Sequence, residues 1–360
     1  MSSPVHVVGA GLIGTSLGLA LSREGVEVTL YDPSPTALAL AADLGAGAAR
    51  EPDDPAVVVV AAPPDVAATV VLDALVRWPR AIVTDVASVK STVLAQVRAS
   101  AAASDLGRYV GSHPMAGRER SGAVAAQADL FEGRTWVVCP HEGSEAGAAD
   151  RVSQLARSTG AAVVTMGADA HDRAVAYVSH LPQVAASLVA GRLRELPDEA
   201  VALAGQGIRD VTRIAASDPL LWTQILAGNA EVLAPVLRDV AQDLDAVAGA
   251  LASIAAQDGD GARGVVARAI GDGQLGHARI PGKHGAAPTA YATVVVLVPD
   301  EPGALGRLFQ DVGDAGVNLE DLRLEHGVGA PLGIAELSVL PSAVDRLMTQ
   351  LGNRGWKVHE

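Results

Sequence analysis

Aromatic side chains are scarce in this chain of 360 residues: Phe, Trp and Tyr make up 3% of it, although 49% is hydrophobic. Its cores must be filled by Ala, Val and Leu, and its length suits two or three domains. A single cysteine, Cys139, excludes an intramolecular disulfide framework and a zinc site built from a cysteine cluster. Cys139 ends the apolar run Thr135-Trp136-Val137-Val138 and reads as a small buried residue, and no metal site is expected. Positive charge is also short. Lys and Arg total 27 against 41 Asp and Glu, a formal net charge of −14, which argues against a nucleic-acid-binding face. Residues 168–275 contain no lysine at all. No uninterrupted apolar run approaches the ~20 residues that span a bilayer. Met1-Ser2-Ser3-Pro4 leads directly into a strand without the basic and apolar regions of a signal peptide. A soluble, cytoplasmic protein is the expectation.

What is present begins with Val5-His6-Val7-Val8, which reads as a buried strand and runs into Gly9-Ala10-Gly11-Leu12-Ile13-Gly14. Residues 15–23 then have helical character, and Gly25 stops them. Strand, G-x-G-x-x-G and helix in that order form a dinucleotide loop. Gly9 permits the tight turn, Gly11 lets a pyrophosphate approach the backbone, and Gly14 lets the helix pack against the strand. The phosphates lie at the helix N-terminus, with Leu12 and Ile13 beside them. A second strand over residues 27–31 ends at Asp32, about 20 residues beyond the glycines, where a carboxylate accepts from both ribose hydroxyls and repels a 2′-phosphate. Pro33-Ser34-Pro35-Thr36 offers no arginine to welcome that phosphate, so NAD is expected over NADP.

Residues 57–60 form another apolar strand and run into Ala61-Ala62-Pro63-Pro64, where Ala62 and Pro63 are further candidate cofactor contacts. Strands are also expected at residues 81–86, 108–111, 134–139 and 161–166. Fully apolar strands of this kind belong to parallel sheets. Alternating with helices, they predict a doubly wound Rossmann-type domain over residues 1–167, with ligands beyond the carboxyl ends of its strands. Two segments fall there. One is Asp85-Val86-Ala87-Ser88, whose Ser88 in isolation reads as a helix N-cap. The other is Gly111-Ser112-His113-Pro114-Met115-Ala116-Gly117-Arg118-Glu119-Arg120-Ser121-Gly122, a histidine with several charges in a segment that glycine and proline keep from continuing as a helix.

Residues 168–275 show helical patterns and no convincing strand. Ser179-His180-Leu181-Pro182 interrupts a long apolar stripe, and the proline predicts a kink. Ser217-Asp218-Pro219 caps and starts a new helix. Residues 220–256 carry more apolar surface than a small bundle buries, which suggests helix exchange across a homodimer. Residues 276–288 read as a linker rich in glycine, proline and basic residues. Residues 289–360 follow with the order βαββαβ, a ferredoxin-like α+β domain.

Four motifs in order are similar to the prephenate dehydrogenase family, including its arogenate-using relatives. They are Asp85-Val86-Ala87-Ser88-Val89-Lys90, the segment from His113 to Gly122, Ser179-His180-Leu181-Pro182, and Arg209-Asp210-Val211-Thr212-Arg213-Ile214-Ala215-Ala216-Ser217-Asp218-Pro219. The resemblance covers the first ~275 residues. It implies that His113 accepts a hydrogen bond from the substrate ring hydroxyl, that Ser88 helps to hold both, and that Arg213 binds a substrate carboxylate while His180 lines the pocket. It also places Ser112, Glu119 and Arg209 at the substrate, with Arg209 standing where some relatives have lysine. Arg118 and Arg120 read as rim charges. The resemblance implies a homodimer as well. Asp300-Glu301-Pro302-Gly303-Ala304-Leu305 and Val317-Asn318-Leu319-Glu320 look like an ACT regulatory module, in which Asp300, Gly303, Ala304, Leu305 and Asn318 would face an amino-acid effector, tyrosine being the obvious candidate.

The chemistry explains the residue types. A hydride leaves the carbinol carbon of prephenate for NAD+, the hydroxyl proton needs an acceptor, and loss of CO2 aromatises the ring. A neutral imidazole suits the proton, and arginine suits the carboxylates of a dianion. The expected activity is oxidative decarboxylation of prephenate to 4-hydroxyphenylpyruvate in tyrosine biosynthesis, with arogenate as the alternative substrate. A 3-hydroxyacid dehydrogenase would call for a lysine in the helical domain, which is absent. A non-catalytic sensor of NAD and an amino acid would have no use for His113 with Ser88 and Arg213.

Overall fold

The structure, a computed structural model, describes residues 3–117, 122–257, 261–280, 291–326 and 332–359. The chain folds as two compact units, Met1–Gln242 and Asp243–Glu360. This division falls inside the helical stretch that the sequence suggests is one domain.

In the first unit, β1 (Val5–Val8), β2 (Val28–Tyr31), β3 (Val57–Val60) and β4 (Ile82–Asp85) form a parallel sheet of order β2-β1-β3-β4. Every residue of β3 is fully buried, as expected for a strand covered on both faces. The covering helices are α1 (Leu12–Arg23), α2 (Pro35–Asp43), α3 (Pro64–Arg77) and α4 (Ser91–Ser100). A one-turn α5 (Ala103–Leu106) leads to a second sheet of β5 (Gly111–Pro114), β6 (Thr135–Cys139) and β7 (Ala162–Thr165), with α6 (Ala148–Ser158) between the last two.

Two expectations need correction here. The strand expected at residues 108–111 lies three residues later, so His113 sits within β5 and not in a loop beyond it. Arg108 is fixed by its side chain as well as its backbone. Its buried guanidinium donates to the carbonyls of Leu75, Trp78 and Ala81, from the last turn of α3 to the residue before β4, and its own carbonyl accepts from the Val83 N–H in the isolated bridge that joins Tyr109 to β4. The sheet is also not wholly parallel, because β5 pairs antiparallel with β6. A parallel return needs a packed crossover. Between β5 and β6 the described residues supply only a 3₁₀ turn, Ala123–Ala125.

The helices that follow are α7 (Ala168–Val175), α8 (Leu181–Arg192), α9 (Asp198–Val201), α10 (Gln206–Thr212), α11 (Pro219–Gly228) and α12 (Ala230–Ala255). Between α7 and α8 the chain does not break. A π turn over Ala176–His180 joins them, and Pro182 falls in the first turn of α8. Widening the turn accommodates the proline, so the expected kink becomes a π bulge, a feature frequent at functional sites. The run Ala168–Glu195 is long and apolar enough on average, with mean hydropathy 1.2, to cross a membrane. It nevertheless carries His171, Asp172 and His180, all buried and hydrogen-bonded within this unit.

The second unit holds the distal part of α12, α13 (Ala262–His277) and an α+β domain. Helix α13 therefore extends into the start of the expected linker, whose residues 281–288 lie outside the described residues. The strands β8 (Ala292–Pro299), β9 (Asp321–His326), β10 (Leu332–Val339) and β11 (Lys357–His359) form an antiparallel sheet of order β11-β8-β10-β9, with α14 (Ala304–Asp314) and α15 (Val344–Asn353) completing the order βαββαβ. Val294, Val296, Leu308, Leu337 and Leu347 fill its core. Strand β9 begins later than the sequence suggests. Asn318 precedes it and donates to the Glu320 carboxylate.

Candidate active site

A cleft of about 1250 Å³ runs through the first unit from the glycine loop to the π turn. That exceeds the roughly 300–1,000 Å³ of a site for one small ligand. Its nucleotide end is lined by Gly9, Gly11, Leu12, Ile13, Asp32 and the Ala62-Pro63 pair. These residues fit a dinucleotide. Gly9 has φ +113°, and a Cβ added to it would lie 2.4 Å from the Ala61 carbonyl oxygen. A Cβ on Gly14 would lie 1.9 Å from the Gly9 carbonyl oxygen, so Gly14 packs behind the loop and does not line the cleft. Gly11 faces open space, where a phosphate would approach. Asp32 accepts from the backbone N–H groups of Ala10 (2.7 Å) and Ser34 (2.8 Å), which fix its carboxylate at the end of β2.

The other end brings together Ser88, His113, His180 and Arg213, drawn from four separate segments. His113 Nδ1 lies 2.9 Å from His171 Nε2, and His171 Nδ1 lies 2.7 Å from Asp172 Oδ1. Burial, then the neighbouring His171, Lys90 and His180, hold His113 well below the ordinary histidine range, so it is neutral at physiological pH. His180 is buried, and burial likewise lowers its pKa. The Asn229 amide nitrogen donates to the Asp172 carbonyl (2.8 Å) and to His180 Nδ1 (3.1 Å). His180 therefore carries its proton on Nε2 and is a donor. Trp222 meets its ring edge-on at 6.2 Å.

Not every expected site residue is here. Ser112 is fully buried beneath the site. Its hydroxyl accepts from Thr84 Oγ1 (3.0 Å) and donates to the Asp85 carbonyl (2.9 Å), because alternation along β5 turns it away from the face that presents His113. Arg209 is exposed on α10 and does not line the cleft. Glu119, Arg118 and Arg120 lie outside the described residues. Ser88 is half-buried in the cleft lining, and the partner of His113 Nδ1 is His171.

The sequence reading missed His171, Asp172 and Asn229. His171 and His180 are nine residues apart, opposite faces of an unbroken α-helix at 3.6 residues per turn. The π turn changes that phase, and Asn229 spans the gap. Lys90, read only as part of a helix start, is 1% exposed. Its ammonium pairs with Asp85 and donates to the Ser112 carbonyl (2.7 Å), while Tyr109 donates to the other Asp85 oxygen (2.7 Å). This cluster ties β4 to β5 directly under His113.

A dinucleotide loop sharing one cleft with a neutral imidazole and an arginine defines a nicotinamide-nucleotide dehydrogenase built from a Rossmann-type and a helical part. Comparison with known proteins agrees. Residues 17–165 match the nucleotide-binding domain of prephenate dehydrogenase and residues 167–263 its dimerization domain. The chain is 38% identical over 357 residues to a probable prephenate dehydrogenase, NovF, of Streptomyces niveus, covering 97% of this chain and 98% of that protein. It is 32% identical over 273 residues to a cyclohexadienyl dehydrogenase of Zymomonas mobilis, covering 71% and 90% of the two. A crystal structure of prephenate dehydrogenase from A. aeolicus, in complex with hydroxyphenyl propionate and NAD+, matches with a TM-score of 0.66 at 25% identity, over 77% of this chain and 98% of that one. The chain belongs to the prephenate dehydrogenase family of NAD-dependent oxidoreductases.

Proposed function

We propose that this protein oxidises prephenate to 4-hydroxyphenylpyruvate and CO2 in tyrosine biosynthesis. The observation that carries the reading is the meeting of neutral His113, donor His180 and Arg213 at one end of a cleft whose other end is the dinucleotide loop. Gly9, Gly11, Leu12, Ile13, Asp32, Ala62 and Pro63 would hold NAD, which when bound supplies the hydride acceptor. His113 takes the proton of the ring hydroxyl as the carbinol becomes a carbonyl, a role typically worth about 10²–10⁴-fold in rate. The His180 Nε2–H donates to the substrate, Arg213 pairs with a carboxylate and fixes its orientation, and Ser88 offers a hydroxyl beside the reacting oxygen. Decarboxylation then follows from the substrate itself, because aromatisation drives it.

Arogenate is the second reading. Asp218 lines the same cleft as Arg213 and would suit the ammonium that arogenate carries in place of the keto group. Purified protein given NAD with each substrate, with reduced cofactor followed by absorbance, separates the two; turnover of neither overturns the assignment. His113→Asn is expected to lower kcat by roughly 10²–10⁴-fold, and near-normal kcat would remove His113 as the proton acceptor.

We read the chain as three working parts, a nucleotide domain (1–167), a helical substrate and dimerisation domain (168–275) and a regulatory domain (289–360), acting as a cytoplasmic homodimer. Exposed Leu188, Leu203 and Leu220 of the first unit support a dimer, as do exposed Leu244, Leu251 and Ile270 of the second. The βαββαβ order of the second unit supports an ACT identity, with Gly303 at φ +89° opening α14 and Asp300, Ala304 and Leu305 along that turn, whereas Asn318 lies before β9 at the other end of the sheet, level with the start of β8. Tyrosine is the proposed effector. Titration calorimetry with tyrosine, before and after deletion beyond about Gly285, tests this; binding that survives deletion places the effector site elsewhere.

A further inference from the structure

Behind His113 lies a buried chain that does not line the cleft, and with both imidazoles neutral its hydrogen bonds have only one consistent direction. Asp172 is 2% exposed. Its Oδ1 accepts from the Lys90 N–H (2.8 Å) and lies 2.7 Å from His171 Nδ1, and its Oδ2 accepts from the Ser91 N–H (2.8 Å). Burial pushes the Asp172 carboxyl up, but the bonds from His171, Ser91 and Lys90 outweigh it and hold the pKa below the usual range. A carboxylate only accepts, so His171 Nδ1 carries hydrogen. In neutral His171, Nε2 is then a bare acceptor. His113 Nδ1, 2.9 Å away, must donate to it.

We infer that Asp172 and His171 are positioning residues that fix His113 as its Nδ1–H tautomer and leave Nε2 bare toward the cleft. The inference rests on His113 being the proton acceptor. Free neutral histidine favours the opposite tautomer, with hydrogen on Nε2, which could only donate to a substrate hydroxyl. The relay reverses that preference. It also keeps an acceptor on Nδ1–H once His113 becomes an imidazolium, and it places the Asp172 charge one ring away. No proton needs to travel along it. Lys90 and His180 are the other titratable groups that act on His113, and Asp85 neutralises the Lys90 ammonium. His180 is set the other way by Asn229, so the two imidazoles of the site present one acceptor and one donor.

The full-length protein labelled with 15N-histidine, with and without NAD, tests this near neutral pH by long-range 15N–1H correlation. His113 is assigned through its loss in His113→Asn. Protonated Nδ1 with bare Nε2 is expected; the reverse overturns the inference. His171→Phe removes the acceptor and should shift His113 toward the Nε2–H form. Its kcat should fall roughly 10–100-fold, the range seen when a metal-bound histidine loses the group that orients it, with KM little changed. His171→Gln keeps a carbonyl acceptor and should recover most of that loss. Equal losses in both variants with an unchanged His113 tautomer would reduce His171 to a packing residue. If His171→Phe does not fold, the tautomer in the wild type and in His171→Gln still decides. Near-normal kcat in His113→Asn, with the tautomer as assigned, would overturn the proton-acceptor reading and not the tautomer.

Discussion

Lys90→Met is the substitution that most directly probes the floor of the site. Methionine fills a similar volume but removes the ammonium that pairs with Asp85, a side chain with no exposure to solvent. Removing one partner of a buried ion pair costs about 3–5 kcal/mol, because the other charge is left without its counter-ion. Asp85 keeps two donors, the Tyr109 hydroxyl (2.7 Å) and the Ala87 N–H (2.9 Å), which places the loss at the lower end. The Ser112 carbonyl also loses its 2.7 Å donor, a further cost of about 1 kcal/mol. The sum, about 4 kcal/mol, is a large share of the roughly 5–15 kcal/mol that holds a domain folded. Urea unfolding followed by the fluorescence of Trp78, Trp136 and Trp222, all in the first unit, measures it. Lys90→Met with Asp85→Asn should regain at least half of the loss, since no buried charge then stands alone. A second readout comes from the site. Lys90 is one of the groups that lower the His113 pKa, so the acid limb of kcat/KM should move to higher pH in Lys90→Met. Destabilisation below about 1 kcal/mol, or an acid limb moving to lower pH, would refute the reasoning, since a pair worth breaking cannot cost less than an ordinary surface change.

Three other outcomes follow. Asp32→Ser should relax discrimination against NADP roughly tenfold or more, by removing a carboxylate that would face the 2′-phosphate; unchanged relative kcat/KM for the two cofactors would remove Asp32 from the ribose site. Gly14→Ala should destabilise by about 1–3 kcal/mol through overpacking against the Gly9 carbonyl and weaken NAD binding; titration calorimetry showing wild-type affinity would contradict it. Burial lowers the His6 pKa to about 4. The unfolded chain, with a pKa near 6.5, binds the proton where the folded chain does not, so this contribution to stability is complete above pH 6.5 and declines as pH falls toward 4. That single group accounts for roughly 3 kcal/mol over the interval. His113 adds to it with the same sign. Urea midpoints that stay constant from pH 7 to 5 would refute this.

Residues that act through their own local backbone were legible in order along the chain. The glycine loop, Asp32 and the apolar β3 declare a nucleotide fold because strand, turn and helix each follow from neighbouring residues. His113 stood out by its own segment, whereas Ser88, which alone reads as an N-cap, His180 and Arg213 were legible only through the resemblance of their motifs to a family. What failed is equally local in cause. Ser112 next to His113 looked like part of the site, but alternation along β5 buries it. Arg209 shares a motif with Arg213, yet it is exposed on α10, while Arg213 leaves that helix to begin the 3₁₀ turn Arg213–Ala216 and lines the cleft.

The relay behind His113 belongs to tertiary structure alone. His113 and His171 are 58 residues apart, and Asp172 and the Lys90 N–H are 82 apart. They meet because β5 returns antiparallel and places His113 within the strand, and because a π turn rotates the helix so that His171 and His180 serve one site. Neither event has a periodic signature in sequence. The amino acids by themselves determined the nucleotide fold and the placing of a histidine in its cleft. Which nitrogen of that histidine is free was decided by packing, since a tautomer depends on partners that only the folded chain brings within hydrogen-bond distance.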